Sequence, residues 1–234
     1  MAPVAREISA ITGVLEPLQT ATTLEGQVHE LKTVLEKNGA APVTLIGFSW
    51  GAILSFIFTA RYPSFVKKLI LIGSGAYEEE YATNITKTRL SRLGEEEREE
   101  ALSLMETLND DAIEDKNTPM AGLGKLLSRA DSYDPLPHDS EILKYQYDIY
   151  HSVWEQARKL RSSGNLLEFG GKIQCPVIAI HGDYDPHPSE GIYEPLSRIV
   201  KDFRFILLEK CGHYPWIERS ARDKFYNILK TVVA

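Results

Sequence analysis

Short apolar runs alternate with segments of helical period along most of the chain, the pattern of an α/β fold with a largely parallel sheet. Residues 11–15 read as a modest strand closed by Glu16-Pro17. Thr22 and Glu25 form a capping box that opens a helix, with Val28, Leu31, Val34 and Leu35 at helical spacing and Asn38-Gly39 as its stop. Residues 43–46 form an apolar and β-branched run with no polar face, as expected of a central strand buried on both sides. Residues 51–61 are apolar at almost every position, which predicts a buried helix ended by Tyr62-Pro63. Residues 66–72 are the next strand, broken by Gly73-Ser74-Gly75.

The texture changes over residues 77–168, where no buried strand is legible and the stretch is polar and helical. One predicted helix starts at Glu95 and presents Leu102, Met105 and Leu108 on one side; a second, over 141–161, carries Ile142, Ile149, Val153 and Leu160 with Tyr145, Tyr150 and Trp154 interleaved. This divides the chain into a core of residues 1–76 and 169–234 and a helical cap, or lid, of residues 77–168. The alternation then resumes, with strands over 177–180 and 204–208 and helices over 193–199 and 221–232.

Composition narrows the function classes. The chain of 234 residues is 43% hydrophobic and 25% charged, the balance of a globular protein, and it carries a net charge of −7. That charge argues against nucleic acid or an anionic membrane as main partner, since both select clustered positive charge. No apolar run reaches the roughly 18 residues of a membrane span, and residues 1–8 lack the apolar stretch of a signal peptide, so the expected location is cytoplasmic. Two cysteines, Cys175 and Cys211, do not make a disulfide framework and are expected as free thiols. The acidic run from Glu95 to Glu100 reads as the solvated start of a helix.

The sharpest chemical signal is Gly47-Phe48-Ser49-Trp50-Gly51, a G-x-S-x-G spacing that follows a buried strand and opens a buried helix. A serine hydroxyl is a poor nucleophile until a base takes its proton. A tight strand-to-helix turn exposes that oxygen, flanking glycines let backbone pass closely, and the helix N-terminus offers a positive dipole end to a developing oxyanion, with the Trp50 N–H as one donor. The expected base is His213, just after the last strand, where carboxyl ends of parallel strands converge. The expected acid is Asp185, in a turn set by Pro186; the alternative, Asp183, reads as a turn-forming Asx residue. Among the remaining histidines, His187 is best placed, near the pocket rim. His29, His138, His151 and His181 read as solvated or structural.

The chain order Ser49, Asp185, His213, with these strand and helix contexts, resembles the α/β-hydrolase superfamily. Gly47-Phe48-Ser49-Trp50-Gly51-Ala52 looks most like its branch of proline iminopeptidases and small esterases. The resemblance runs from about residue 3 to the C-terminus and implies a serine hydrolase that works through an acyl-enzyme without cofactor or metal, with a small-molecule substrate and a lid at residues 77–168. Tyr145, Tyr150 and Trp154 are the expected substrate-binding residues of that lid.

The chain also departs from this family. Members carry further strands before this point and a His-Gly loop that supplies a second oxyanion N–H; here residues 1–7 look like the helix that follows that loop, and no His-Gly pair precedes Ser49. The fold therefore reads as an N-terminally shortened α/β-hydrolase. Either the strand at 11–15 moves over to pair with 43–46, or a second chain fills the gap, which makes a homodimer through the N-terminal region an expectation. If the strand moves, a backbone N–H near Leu18 or the Gln19 amide is the replacement oxyanion donor. Two other readings stand beside the enzyme: a weak or inactive hydrolase-fold protein that binds a small molecule or partner, and a native chain that starts further upstream.

Overall fold

The computed structural model describes residues 1–38, 41–138 and 146–233. Among these, four strands form one parallel sheet in the order β1 (Val43–Phe48), β2 (Val66–Ile72), β3 (Val177–Gly182) and β4 (Phe203–Leu208). The helices in chain order are α1 (Ala2–Ser9), α2 (Leu24–Asn38), α3 (Trp50–Arg61), α4 (Glu79–Ala82), α5 (Ile85–Ser91), α6 (Glu95–Asn109), α7 (Asn117–Ala130), α8 (Tyr147–Ser162), α9 (Asn165–Glu168), α10 (Glu190–Ile199) and α11 (Arg222–Val233).

The period of two along the strands sorts side chains to two faces. Leu69 and Leu71 of β2 and Val177 and Ala179 of β3 join a core with α2, α3 and α10. Ile70, Ile72, Ile178 and Ile180 join the opposite core with Val4 and Ile8 of α1 and Phe225, Leu229 and Val232 of α11. Both faces are covered, so Leu69–Ile72 of β2 and Val177–Ile180 of β3 read as continuous apolar runs. All four strands run the same way, so their carboxyl ends bring Ser49, Gly73, Asp183 and the loop after Leu208 to one edge.

Between β2 and β3 the described residues hold helices α4 to α9 and no strand of the sheet, as the texture over 77–168 predicts. Helices α5 to α7 make a small core of their own from Leu93, Ala101, Leu126 and Ala130. The expected face of α6 is wrong: Leu102 is 45% exposed, and Ala101 and Leu104 turn inward. The inward face is chosen by α7, which is hard to foresee because Pro119, Gly122 and Gly124 weaken its helical signal.

Three further expectations need correction. Residues 11–15 form no strand: they follow α1 as turn and coil, with Ile11, Val14 and Leu15 exposed, and Gly13 interrupting the run. They do not move over to β1, whose only sheet neighbour among the described residues is β2. β1 is accordingly an edge strand with part-exposed side chains, not a strand buried on both sides. The cap of α2 is shifted by one residue: the Thr23 hydroxyl accepts the Gly26 N–H (3.0 Å), and Glu25 instead pairs with Arg61 of α3. Gly39, Ile142 and Tyr145 lie outside the described residues.

Candidate active site

Ser49 stands between the last residue of β1 and the first of α3, with φ 52° and ψ −118°. A non-glycine residue rarely adopts positive φ, and it persists where surrounding structure over-determines it. Here the Ser49 N–H is tied to the Ile72 carbonyl of β2 (3.0 Å), while the Ser49 carbonyl accepts from Ala52 (3.0 Å). The two glycines of the motif differ. A Cβ on Gly47 would stand 2.2 Å from the Gly51 carbonyl oxygen, so close approach demands glycine there; a Cβ on Gly51 meets nothing within 4 Å. The Trp50 N–H falls in the first turn of α3, where a helix supplies no carbonyl partner. Its indole donates to Gln27 of α2 (2.7 Å), a fully buried amide.

The residues singled out as base and acid meet at Ser49. The Ser49 hydroxyl donates to His213 Nε2 (3.1 Å), and His213 Nδ1–H donates to Asp185 Oδ2 (2.7 Å). His213 is 3% exposed and the Asp185 carboxylate is fully buried. The carboxylate fixes the tautomer: Nδ1 carries the proton, which leaves the Nε2 lone pair for the hydroxyl. Burial alone would push the Asp185 carboxyl up, but the surrounding imidazoles, His213 first and then His181 and His187, hold it well below the usual carboxylate range. Asp183 does not close an Asx turn; its carboxylate accepts the Cys211 N–H (3.1 Å) and ties the acid loop to the histidine loop.

Two features of this site are not legible in the sequence. First, His187 also holds Asp185, through Nδ1–H (2.8 Å) and backbone N–H (3.0 Å), both on Oδ1. Second, the helical insertion is fastened to both loops. The Asp131 carbonyl accepts the His213 N–H (2.8 Å), while the Asp131 carboxylate takes two bonds of 2.7 Å from Arg89. Arg92 donates to the carbonyls of Ala130 (3.1 Å) and Tyr184 (2.8 Å) and lies 3.7 Å over the Tyr184 ring, next to Asp185. Fully buried Glu218 accepts N–H bonds from Gly212, Tyr133 and Asp134.

The other expected residues are placed as follows. Trp154 of α8 reaches Trp50 (ring centroids 5.5 Å apart), and its indole N–H is buried with no partner among the described residues. Tyr150 lies tilted against Trp154, with ring centroids 6.0 Å apart, and is half exposed. The Gln19 amide donates to the Pro17 carbonyl within its own loop (3.3 Å), and no described hydrogen bond joins Gln19 or Leu18 to Ser49. Both thiols are free; burial pushes Cys211 well up, reinforced by Glu218, Asp185 and Asp183. Ligand atoms of Asp185, His187 and His213 lie within 4.8 Å of one another, but both imidazoles already spend Nδ1–H on the carboxylate, so a cation there displaces two hydrogen bonds. A cavity of about 640 Å³ lies between α1, α11 and residues 136–138, and none of Ser49, Asp185 or His213 lines it.

The profile of the alpha/beta hydrolase fold matches residues 16–220, most of the chain. The chain belongs to the alpha/beta hydrolase fold family. Its curated relatives include proteins named as a lipase and a serine hydrolase, and one named as a decarboxylase. This hydrolase-fold chain is 25% identical over 210 residues to monoacylglycerol lipase ABHD6 of Bos taurus, across 86% of its own length and 58% of that protein's. It thus spans about half the length of the curated relatives it matches. An esterase from Exiguobacterium antarcticum superposes with a TM-score of 0.61 at 19% identity, covering 94% of this chain and 77% of that one. A proline iminopeptidase from Mycobacterium smegmatis does so with 0.57 at 17%, covering 98% and 84%. At these identities the structural likeness speaks for the fold. Among the described residues, no helix is long and apolar enough to cross a membrane.

Proposed function

We propose that this chain is a serine hydrolase that cleaves small esters or amides through an acyl-enzyme. The observation that carries this reading is the unbroken line of hydrogen bonds from Ser49 Oγ to His213 Nε2 and from His213 Nδ1 to Asp185, with Ser49 held at positive φ. Ser49 attacks the carbonyl carbon as His213 takes its proton, and Asp185 steadies the imidazolium that results. The Trp50 N–H, at the head of α3, faces the growing negative charge of the tetrahedral intermediate. His213 returns the proton to the leaving alcohol or amine; water then enters, gives its proton to His213 and releases the acid with Ser49 restored. Residues 77–168 act as the cap over this site, with Tyr150 and Trp154 on the acyl side. The relatives named as lipases, esterases and peptidases support the same class.

A second reading, a hydrolase-fold protein with weak or no turnover that binds a small molecule, is favoured by one observation: the amide expected as second oxyanion donor is bonded to Pro17. One missing donor costs about 10²–10³ in rate. A fluorophosphonate probe combined with a p-nitrophenyl ester assay separates the two. The enzyme reading expects Ser49 labelled, labelling abolished by Ser49→Ala, and ester turnover above the buffer rate. Labelling without turnover supports the second reading, and absence of labelling in the folded chain overturns the first.

A further inference from the structure

Asp185 serves two imidazoles, and only one of them belongs to the relay just described. His187 is held as firmly as His213. Its Nδ1 lies 2.8 Å from Oδ1, its backbone N–H bonds the same oxygen at 3.0 Å, and its carbonyl accepts from His181 Nε2 at 2.8 Å. A carbonyl only accepts, so His181 Nε2 carries the proton; its Nδ1 is buried without a partner. His181 is therefore a support beneath the loop, although its Nε2 also comes within 3.7 Å of Asp185 Oδ2. His187 Nδ1 faces a carboxylate and so carries its proton too, and Nε2 is left as an acceptor. The two rings on Asp185 have centroids 5.1 Å apart.

This arrangement has two consequences for the carboxylate. With Oδ1 occupied by two donors from one rigid dipeptide step, the carboxylate plane is set before His213 binds, and Oδ2 stays aimed at it. A carboxylate already donating charge to one imidazole also stabilises a second imidazolium less than a dedicated one does. On the serine-hydrolase reading above, we propose that His187 is a positioning residue that shares Asp185 with His213 and orients the carboxylate toward it. The neighbouring charges are few. Asp185, His213 and the Arg89 guanidinium, itself neutralised by Asp131, act on His187; burial keeps the ring uncharged, helped by His213 and Arg89 and opposed by Asp185. His213 is faced by Asp185, His187 and the Ser49 hydroxyl, with Phe48 and Tyr214 as ring contacts.

The test is the pH profile of kcat/KM for hydrolysis of p-nitrophenyl butyrate by the wild type, His187→Phe, His187→Asn and His187→Gln. Phenylalanine fills the space without a donor, asparagine offers an N–H at the place of Nδ1, and glutamine is polar but reaches the place of Nε2. The acidic limb should move to higher pH by roughly one unit in the Phe and Gln variants, because Asp185 then has His213 as its one directly bonded imidazole, with only the backbone N–H of residue 187 left on Oδ1. The Asn variant should restore the wild-type limb. The loss should fall on kcat, about tenfold, with KM changed less than twofold, since His187 acts through another residue. If His187→Phe does not fold, the Gln and Asn pair carries the comparison. A limb that stays in place in the Phe and Gln variants, or that moves equally in the Asn variant, overturns the proposal and leaves a packing role. An unlabelled, inactive wild type refutes the hydrolase reading itself, a separate result from any shift among variants.

Discussion

Replacing Glu218 by alanine tests whether the histidine loop is held by the helical insertion. The Glu218 side chain is fully buried five residues after His213. Its Oε1 accepts from Gly212 (2.9 Å) and Tyr133 (2.8 Å), and its Oε2 from Asp134 (2.8 Å). Backbone bonds run alongside, from Leu136 N–H to the Ile217 carbonyl (2.7 Å) and from Arg219 N–H to the Asp134 carbonyl (3.0 Å). Alanine leaves one buried N–H donor, of Gly212, and two part-buried ones, of Tyr133 and Asp134, without their acceptor. Each such group costs about 1–3 kcal/mol, and water entering the vacated space offsets a part, so the net loss is about 3–6 kcal/mol. Glutamine is milder: with its oxygen at the place of Oε1 it keeps two bonds, but it sets an NH₂ against the Asp134 N–H, at about 1–3 kcal/mol.

Against a total stability of about 5–15 kcal/mol, the alanine change is severe and should lower Tm by on the order of 10 °C or more. Urea unfolding followed by tryptophan fluorescence measures it, with Trp216 two residues from the substitution as a local reporter. Activity should fall with it, chiefly in kcat, because the His213 N–H hangs from the Asp131 carbonyl in the same set of contacts. The reasoning fails if the alanine variant unfolds within about 1 kcal/mol of the wild type, or if glutamine is as damaging as alanine.

Three further outcomes follow from the same geometry. Gly47→Ala should abolish probe labelling of Ser49 and destabilise the fold, because its Cβ meets the Gly51 carbonyl at 2.2 Å, whereas Gly51→Ala, with open space around its Cβ, should fold and label as the wild type does; equal damage from both would contradict this. Stability should fall with acid in two windows. The folded Asp185 carboxyl lies below its unfolded value, so its contribution is present above about pH 4 and is lost as pH falls through the folded value; the folded His187 ring also lies below its unfolded value, so protons favour the unfolded chain as soon as pH drops under about 6.5. The urea midpoint against pH should thus lose its first decline in His187→Phe and keep the second, and superimposable curves for the two proteins would be the contrary result. Burial pushes up the thiols of Cys211 and Cys175, so Ellman's reagent at neutral pH should modify neither quickly until urea unfolds the chain, and prompt reaction of Cys211 would count against its burial.

The parts of the site that were legible share one property: their signal is local. Ser49 is announced by five consecutive residues between an apolar strand and an apolar helix, and Asp185 and His213 by their places just past strands. Parallel strands then carry all three to one edge, so local signals suffice to predict that they meet. The strand expected at residues 11–15 failed for a complementary reason. A short β-branched run is a strand only where a neighbour pairs with it, and the sheet order gives it none. The face of α6 failed likewise, since its inward side is decided by α7 and not by its own apolar spacing.

Glu218 and His187 show why the remainder was hidden. Glu218 bonds Tyr133 and Asp134, which lie 85 and 84 residues away, and it does so through their backbone N–H groups, which every residue but proline possesses. No side-chain pattern at either end of such a bond can report it. The one trace is Gly212. A Cβ there would stand 2.1 Å from the Asp131 carbonyl and 2.6 Å from Glu218 Oε1, so the histidine loop and the insertion can approach only at a glycine. In the sequence, a glycine after a strand reads as punctuation that ends the strand; in the fold it is the gap through which a second segment reaches His213. The same ambiguity covers His187, which follows Asp185 by two residues in a proline-bounded turn and reads as a rim residue, until the turn curls both of its N–H groups back onto one carboxylate oxygen. Strand, turn and helix signals therefore say which residues arrive at the rim, while the bonds that hold them there belong to close approaches between loops and have to be read from the structure.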